Sequence, residues 1–434
     1  MKLPHPGMAS PINAASAVRG RIQVPGDKSI THRSLLLNAL ARGGARVRGA
    51  GLGGDCRSSI ACLQGLGVSV LRDGDQLVID SPGVDGFDEP ASPLDCGNSG
   101  TTMRLLLGLL AGCGRFAVVV GDDSLSARPM GRVADPLRRM GARIFGRGGG
   151  ELAPLAVLPA SLSGTQIDVP VASAQVKSAL LIAGLNADGV TRIRQPARSR
   201  DHTEIMLAAM GAGLEIDGAE LAIEGGQRLE TIDVDVPGDF SSAAFWLVLG
   251  ASHPDASLEI ANVGINPTRA GTLSVLKRMG AKIAIDPNPA GAEPSGTLAV
   301  DSSSLSATEI GGAEIPILID ELPVLAVAAT QAEGTTRIRD AGELRVKETD
   351  RISATVSNLA AMGARIEELP DGMVIEGPTP LSGARLDSHG DHRVAMAMAV
   401  AASIAGGESR IDDAAAVNIS YPGFFDELGR VCAA

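Results

Sequence analysis

A six-fold repeat is the feature that most constrains how this chain of 434 residues can fold. Each copy has an apolar helical segment, a Gly-centred turn, a β-branched strand and a second helical segment that ends in a Leu-Gly or Met-Gly pair. The six pairs are Leu66-Gly67, Met140-Gly141, Met210-Gly211, Met279-Gly280, Met362-Gly363 and Leu428-Gly429. They recur at intervals of roughly 66 to 83 residues, which is longer than a short solenoid repeat. We therefore predict that each repeat is a whole α/β unit and that the six form two domains of three.

Composition limits the classes of partner. The net charge is −12, from 38 Lys and Arg against 50 Asp and Glu, and only 2% of residues are aromatic, which disfavours nucleic acid and acidic membranes as partners. Five Cys without a CxxC pair argue against a disulfide framework and a zinc knuckle, so we expect a reducing cytoplasm. The sequence shows no signal peptide and no apolar stretch long enough to span a bilayer. We expect a soluble protein whose anionic partners are small and bound by a local cluster of cations.

Polar motifs at the start of apolar helical segments supply such cations. In Pro25-Gly26-Asp27-Lys28-Ser29, the Lys and Ser lie at a predicted helix N-terminus, where free N–H groups and the helix dipole favour an anion. The segment 97–104, GNSGTTMR, carries two glycines that let the backbone approach a ligand. The segment 173–178, SAQVKS, again begins an apolar helix. A helix N-cap or a glycine-rich turn explains each motif separately, so these structural readings stay open.

Further charged residues follow the same plan. Arg128 precedes Pro129 and is therefore predicted to lie in an extended loop, and Arg200 lies at another helix start. Lys347 and Arg351 are four residues apart, which predicts a shared helical face with Glu348 beside it. A solvated helix would show the same charge pattern. Asp320 precedes a long apolar run.

Three other kinds of site are disfavoured. The run Gly49–Gly54 fits GxGxxG, with Asp73 near the position of a ribose-binding acid, but the equivalent turns of the third and fifth repeats lack glycines of this pattern. His389, Asp391 and His392 suggest a metal, yet no further ligand group is spaced nearby. The GxxxxGK[ST] phosphate loop is absent.

Taken together and in order, eight motifs resemble those of the 5-enolpyruvylshikimate-3-phosphate synthase family, over nearly the whole chain. They are PGDKSITHR from Pro25, GNSGTTMR from Gly97, SARPMGRV from Ser126, SAQVKSALL from Ser173, SRDHTE from Ser199, IDELP from Ile319, RVKETDR from Arg345 and DHR from Asp391. The resemblance implies a two-domain inside-out α/β barrel, in which each domain has three βαβαββ repeats with helices inward and sheets outward. We place the domains at 22–237 and at 1–21 with 238–434. The resemblance further implies an active site in the interdomain cleft, which closes on binding.

The implied reaction transfers the enolpyruvyl group of phosphoenolpyruvate to the 5-hydroxyl of shikimate 3-phosphate, in the shikimate pathway of aromatic amino acid biosynthesis. The residues implied for shikimate 3-phosphate are Lys28, Ser29, Arg33, Ser173, Ala174, Gln175, Arg200, Asp320 and Lys347. Those implied for phosphoenolpyruvate are Lys28, Asn98, Gly100, Arg128, Gln175, Arg351 and Arg393, with Arg104 in support. Asp320 is expected to take the hydroxyl proton and Glu348 to protonate the methylene carbon, and Lys28 is the second candidate acid. The implied scheme requires no metal, nucleotide or organic cofactor.

One departure and two alternatives accompany the resemblance. Family members often carry a Lys shortly before an aromatic-Pro pair, whereas this chain reads Asn418-Ile419-Ser420 before Tyr421-Pro422. The resemblance implies that Gly at position 100, in contrast to Ala, leaves an open pocket beside the phosphoenolpyruvate site, so we expect glyphosate to inhibit. The rival enzyme, UDP-N-acetylglucosamine enolpyruvyl transferase, carries a Cys in the loop that here spans 122–128, and Cys113 lies before that loop. A non-catalytic repeat scaffold would not need charged residues at nearly every core helix start. We expect a monomer.

Overall fold

The computed structural model describes residues 11–289 and 291–433, and the chain divides into two compact units. Unit 1 contains the chain up to Pro25 and again from Gly238, while unit 2 contains Gly26–Pro237 and the short segment Gly291–Glu293. The first change of unit therefore follows Pro25, and residues 22–25 lie with unit 1 instead of with the domain to which the sequence analysis assigned them. The reason is strand pairing, since Ile22 pairs with Ile260 of unit 1.

Helices occupy all six repeats. In chain order they are α1 Lys28–Leu40, α2 Gly54–Gly65, α3 Gly100–Gly112, α4 Asp123–Ser126, α5 Gly131–Arg139, α6 Arg147–Gly150, α7 Ala174–Leu185, α8 His202–Ala209, α9 Phe240–Ser252, α10 Gly271–Arg278, α11 Ile315–Leu318, α12 Leu322–Thr330, α13 Arg351–Ala361, α14 His392–Ile404 and α15 Phe424–Val431.

The strands are short. They are β1 Ile12–Asn13, β2 Ala17–Ile22, β3 Arg42–Arg48, β4 Ser69–Asp73, β5 Gln76–Pro82, β6 Leu94–Asp95, β7 Ala117–Val120, β8 Arg143–Gly146, β9 Leu152–Leu158, β10 Leu162–Ser163, β11 Gln166–Asp168, β12 Ala187–Asp188, β13 Val190–Arg194, β14 Leu214–Asp217, β15 Glu220–Glu224, β16 Val234–Asp235, β17 Ala256–Gly264, β18 Lys282–Asn288, β19 Ser295–Asp301, β20 Glu309–Ile310, β21 Gly334–Ile338, β22 Arg365–Leu369, β23 Gly372–Gly377, β24 Arg385–Asp387, β25 Glu408–Asp412 and β26 Cys432–Ala433.

Unit 2 repeats one sheet topology three times. Its four-stranded sheets have the orders β16-β3-β5-β4, β6-β7-β9-β8 and β11-β13-β15-β14. In each sheet the first pair of strands is parallel and the other two pairs are antiparallel. In the second and third sheets a buried helix, α3 or α7, lies between the two parallel strands in the sequence, as a crossover connection requires. Each set is therefore a βαβαββ repeat, although the first strand of the first repeat, β16, comes from the end of the unit.

Unit 1 follows the same plan with modified edges. Its sheets have the orders β18-β19-β17-β2-β26, β20-β21-β23-β22 and β1-β25-β24. The strand β2 pairs in parallel with β17, so it supplies the first strand of a repeat whose helices begin more than two hundred residues later. In the third sheet, β1 pairs antiparallel with β25 and takes the place of the last strand. The chain termini thus complete the sheets of this unit.

Six helices form the centres of the two cores. In unit 2, α3 packs against α1 and α7, and in unit 1 the helices α9, α12 and α14 pack against one another. These helices are buried along almost their whole length, so they are largely apolar all round, although α1 also buries several polar side chains. The strands alternate buried and exposed residues, so one face of each sheet is solvated. The arrangement has helices inside and sheets outside, as the sequence predicts.

The glycine stops are confirmed at five of six positions. Gly67, Gly141, Gly211, Gly280 and Gly363 directly follow the C-cap of the second helix in their repeats and have φ between 86° and 106°, the left-handed conformation that ends many helices. The sixth prediction is wrong, because Leu428-Gly429 lies inside α15, which continues to Val431. Here the chain passes directly from the helix into β26 and makes no glycine turn.

Among the residues that the structure describes, no helix combines the length and apolar character needed to cross a membrane.

Replacement of glycine by alanine should have opposite effects on stability after the end of a helix and inside a helix. An added Cβ meets nothing within 4 Å at either Gly363 or Gly429, but Gly363 has φ of 90°. We expect Gly363→Ala to lower the free energy of unfolding by about 1 kcal/mol through left-handed strain, and Gly429→Ala to raise it by about 0.5 kcal/mol through helix propensity. Urea unfolding of both variants beside the wild type measures the difference. Equal shifts of the same sign would contradict this assignment of the stops.

Candidate functional site

The predicted binding motifs lie at the N-termini of the buried helices. Side chains cap five of the six by accepting a backbone N–H of the first turn: Asp27 for α1, Ser99 for α3, Ser173 for α7, Asp239 for α9 and Asp391 for α14. Such caps satisfy only part of the free N–H groups at a helix start. The predicted helix starts of the Lys28, Gly97 and Ser173 motifs are therefore confirmed, and each places its functional residues beside a cap.

Lys28 is held by an acid that the sequence analysis missed. Its Nζ lies 2.9 Å from Oδ2 of Asp55, and the two side chains are only 22% and 12% exposed. Asp55 lies in the first turn of α2, directly after the glycine run that was considered for dinucleotide binding. The signal in the sequence that could have found it is an acid directly after a glycine-rich run. The pair keeps the ammonium group at a fixed position while a part of it stays accessible.

Asn98 and Arg128 are brought together in unit 2. Arg128 Nη2 donates to Oδ1 of Asn98 at 2.7 Å, and Arg128 lies between α4 and α5, outside both helices, as the following proline predicts. Arg104 Nη1 donates to Oε1 of Gln175 at 2.7 Å. A Cβ added to Gly100 would lie 2.9 Å from Arg104 Nη1 and 3.7 Å from Arg128 Nη1. The guanidinium groups of Arg104 and Arg128 thus lie beside Gly100 at the start of α3.

Arg33 is buried more deeply than its predicted contact with substrate requires. Only 3% of the residue is exposed, and its guanidinium donates to Thr203 Oγ1 at 2.7 Å and to Ser178 Oγ at 2.9 Å. Burial lowers the pKa of Arg33 to about 10, although the charge of Glu204 acts in the opposite direction. Arg33 therefore stays charged at neutral pH. The other predicted residues of this group, Ser29, Ser173, Ala174 and Arg200, are partly exposed.

A second buried cation lies beside Arg33. Lys177 Nζ is 2.5 Å from Oε1 of Glu204 and donates to the carbonyl oxygen of Ser199 at 3.2 Å. Burial lowers the pKa of Lys177 despite the attraction of Glu204. Ser199 directly precedes Arg200, so this contact fixes the backbone from which the predicted phosphate ligand extends. Sequence reasoning gave Lys177 no role, because its partners lie in another helix and loop.

A chain of buried hydroxyl groups connects three helix starts in unit 2. His32 Nδ1 lies 2.8 Å from Ser59 Oγ, which lies 2.8 Å from Thr102 Oγ1. Thr102 in turn donates to the carbonyl oxygen of Asp55 at 3.2 Å. Burial lowers the pKa of His32 to about 3, and the charge of Asp55 only partly offsets this effect. The imidazole is therefore neutral in the folded protein at physiological pH.

In unit 1, Arg351 is the centre of the predicted acid–base group. The side chain is 1% exposed; its Nε lies 2.7 Å from Asp391 Oδ2, its Nη2 donates to Glu348 Oε2 at 2.6 Å, and its Nη1 lies 3.5 Å from Asp320 Oδ1. Burial alone would lower the pKa of Arg351, but the three carboxylates raise it well above its ordinary value. Burial alone would raise the pKa of Asp391, but the positive charge of Arg351 outweighs this effect and lowers it. One permanent cation thus holds both predicted proton-transfer carboxyls.

The predicted shared helical face of Lys347 and Arg351 is wrong. Residues 342–346 form a 3₁₀ turn, Lys347 is extended, and helix α13 begins only at Arg351. The cause is Asp350, which caps that helix by accepting the N–H groups of Ile352 and Ser353 at 3.1 Å. Lys347 nevertheless reaches the same group, since its Nζ lies 4.0 Å from Asp320 Oδ1.

Arg393 adds a further cation to this part of unit 1. Its Nη2 lies 3.8 Å from Asp320 Oδ2, and its side chain is 8% exposed. Within the described residues, no group of three or more His, Cys, Asp and Glu could hold a metal ion. The chemistry available here is that of closely spaced cations with two partly exposed carboxyls, Asp320 and Glu348, which suits an anionic ligand and proton transfer.

Comparison with known proteins finds relatives that agree with one another in name and in fold. The profile of the family described as EPSP synthase (3-phosphoshikimate 1-carboxyvinyltransferase) matches residues 12–428. A 3-phosphoshikimate 1-carboxyvinyltransferase of Geobacillus kaustophilus is 53% identical over 97% of this chain and 99% of its own length, and one of Bacillus subtilis is 50% identical over 95% and 97%. A solved EPSP synthase of Acinetobacter baumannii has a TM-score of 0.89 at 39% identity and covers 99% of both chains. The enolpyruvyl transferase NikO of Streptomyces tendae, at 20% identity and a TM-score of 0.81 over 99% of this chain and 98% of its own, shares the fold.

The buried histidine predicts a specific dependence of stability on pH. The pKa of His32 is near 3 in the folded protein and has its ordinary value of 6.5 in the unfolded chain, so below about pH 6.5 His32 takes up a proton on unfolding. Its contribution to the free energy of unfolding is therefore fully present above that pH and is lost as the pH falls below it. Between about pH 7.5 and pH 5 the loss should be about 2 kcal/mol. His32→Gln and His32→Asn remove the titrating group and should lower the slope of unfolding free energy against pH. Equal slopes in all three proteins, measured by urea unfolding, would contradict the neutral buried state.

Proposed function

This chain belongs to the EPSP synthase family, and we propose that it is itself a 3-phosphoshikimate 1-carboxyvinyltransferase. In the proposed reaction the 5-hydroxyl oxygen of shikimate 3-phosphate bonds to C2 of phosphoenolpyruvate, the hydroxyl loses its proton and C3 gains one. The tetrahedral intermediate then loses a C3 proton and inorganic phosphate, which leaves the enolpyruvyl ether. The observation that carries the proposal is the arrangement of Asp320 and Glu348 on the single buried guanidinium of Arg351.

The groups of unit 2 support the binding of anionic substrates. We assign shikimate 3-phosphate to the residues expected from the motifs, with Ser173 and Gln175 at the start of α7 and Arg200 on the loop anchored by Lys177. Phosphoenolpyruvate is assigned to Lys28, Gly100 and Arg128 of this unit, together with Arg351 and Arg393 of unit 1. Arginine pairs with phosphate and carboxylate oxygens through two parallel N–H groups, which fixes orientation as well as charge.

The groups of unit 1 support the proton transfers. Asp320 is proposed to take the hydroxyl proton, and Glu348 to deliver a proton to the methylene carbon, with the roles reversed during elimination. Their side chains are 15% and 26% exposed, so both are reachable while Arg351 restricts their rotation. Lys28 is the second proposed acid. The scheme uses acids, bases and cations that the chain itself provides.

The alternative enzyme is not favoured. UDP-N-acetylglucosamine enolpyruvyl transferase carries a Cys in the loop that corresponds to 122–128, and this loop reads DDSLSAR. We further propose that the enzyme works as a monomer in the cytoplasm, a compartment supported by its five free cysteines.

Phosphate release tests the proposed reaction. Purified protein with shikimate 3-phosphate and phosphoenolpyruvate should release inorganic phosphate only when both substrates are present, since phosphate leaves after the ketal forms. Omission of each substrate in turn is the control. A folded sample that releases phosphate with UDP-N-acetylglucosamine and not with shikimate 3-phosphate would refute the assignment.

The same assay tests the proposed acid. Glu348→Gln keeps a polar partner for Arg351 but cannot donate a proton in this way, so turnover should fall by about 10²- to 10⁴-fold, while the binding of shikimate 3-phosphate measured by calorimetry should change little. Glu343→Gln, an exposed change in the preceding turn, is the matched control. Near-normal turnover of a folded Glu348→Gln variant would remove Glu348 from proton transfer.

Gly100 predicts the response to glyphosate. We propose that glyphosate inhibits the wild type, and that Gly100→Ala weakens inhibition because its Cβ would displace the Arg104 guanidinium from Gln175. Loss of a charged hydrogen bond is expected to raise the inhibition constant by about tenfold or more, with a rise in the KM for phosphoenolpyruvate. Gly429→Ala is the control variant. Unchanged wild-type turnover at glyphosate concentrations far above the substrate KM would contradict the open pocket.

A further inference from the structure

Glu321 is an acid for which the proposed reaction has no use, yet it lies next to Asp320 at the start of a buried helix. It occupies the N-cap position of α12 but makes no side-chain bond to that helix, whereas the other five buried helices have a side-chain cap. Its side chain is fully buried. A buried carboxylate is costly unless it is paired and hydrogen-bonded, so its partners indicate what it does.

Those partners are two arginines and a serine. Arg269 Nη1 donates to both carboxylate oxygens of Glu321, at 3.0 and 3.1 Å. Arg393 Nη1 donates to Oε1 at 3.3 Å, and the hydroxyl of Ser241 donates to the same oxygen. Arg269 also lies 3.5 Å from the carboxylate of Asp239. Only one of the two arginines, Arg393, is a proposed ligand of substrate.

The contacts fix one end of the Arg393 guanidinium. Its Nη1 donates to Ser241 Oγ at 2.8 Å and to the carbonyl oxygen of Asp320 at 3.3 Å, in addition to Glu321. All three acceptors lie on the Nη1 side, and rotation of the side chain would break them together. Because Arg269 engages both oxygens of Glu321, much of that negative charge is balanced by a cation that is not itself a proposed ligand of substrate. Arg393 is thereby oriented without having its own charge fully cancelled.

We propose that Glu321 is a positioning residue which, with Ser241 and Arg269, orients Arg393 toward phosphoenolpyruvate. This inference rests on the proposed function. An arginine held in place loses less side-chain entropy on binding an anion than a mobile one does. The effect should therefore concern phosphoenolpyruvate, and not shikimate 3-phosphate.

Steady-state kinetics of Glu321→Gln in the full-length enzyme tests the proposal. The variant keeps the shape of the side chain and loses its charge, so we expect the KM for phosphoenolpyruvate to rise by about tenfold or more. The KM for shikimate 3-phosphate should stay within about twofold of the wild type. A purely structural role would lower thermal stability without separating the two substrates. Glu314→Gln, which alters the more exposed Arg278–Glu314 pair of the same unit, is the matched control.

Ser241→Ala provides a second variant, should Glu321→Gln fail to fold. It removes the hydroxyl that Arg393 and Glu321 share, so the KM for phosphoenolpyruvate should rise in the same direction by a smaller factor. An active wild type whose folded variants keep both KM values would overturn the positioning role alone. A wild type that releases no phosphate from the two substrates would instead refute the proposed function, and with it the ligand assigned to Arg393.

Discussion

The whole structure depends on how six buried helices satisfy the N–H groups at their starts. A helix surrounded by apolar neighbours has no water at its sides, so its free amides must be met by caps or by a ligand at the end that remains polar. Asp27, Ser99, Ser173, Asp239 and Asp391 meet part of this need. The amides left over, with the helix dipole, attract anions. The caps that stabilise these helices and the residues that we propose to bind anions therefore lie in the same short segments.

A second constraint is that charged side chains buried in the cores must be paired with opposite charges. Arg351 and Arg269 are almost fully buried, and the guanidinium of each donates hydrogen bonds to buried carboxylates. Removal of one partner from such a pair commonly costs about 3 to 5 kcal/mol, so the clusters behave as sets. The raised pKa of Arg351 keeps its charge fixed, so the carboxylates around it always face a cation.

The sequence predicted repeated and local features well, and long-range contacts poorly. Helix starts and glycine stops depend on a few adjacent residues, which is why five stops and the main helix starts are confirmed. The sixth stop failed because a Leu-Gly pair also fits within a helix when the chain leaves it without a turn, as at Gly429. The prediction that Lys347 lies on a helix failed because Asp350 caps α13, so that the helix begins only at Arg351. Asp55 and Glu321 received no role, since Lys28 and Arg269 lie 27 and 52 residues away from them and no local pattern encodes such pairs.

The two points at which the chain changes from one unit to the other lie beside two strands and two helix starts. Strand β2 pairs in unit 1 and β16 in unit 2, so each unit completes its first repeat with a strand that lies far away in the sequence. The caps Asp27 and Asp239 come directly after these changes. The N–H of Asp27 donates to the carbonyl oxygen of Pro237, and that of Asp239 to the carbonyl oxygen of Pro25, each at 2.8 Å. Because proline cannot donate a hydrogen bond in return, each contact is a single bond that fixes a cap. Each of these bonds joins a helix start to a segment far away in the sequence, so the long-range strand pairing also helps to place the caps of α1 and α9.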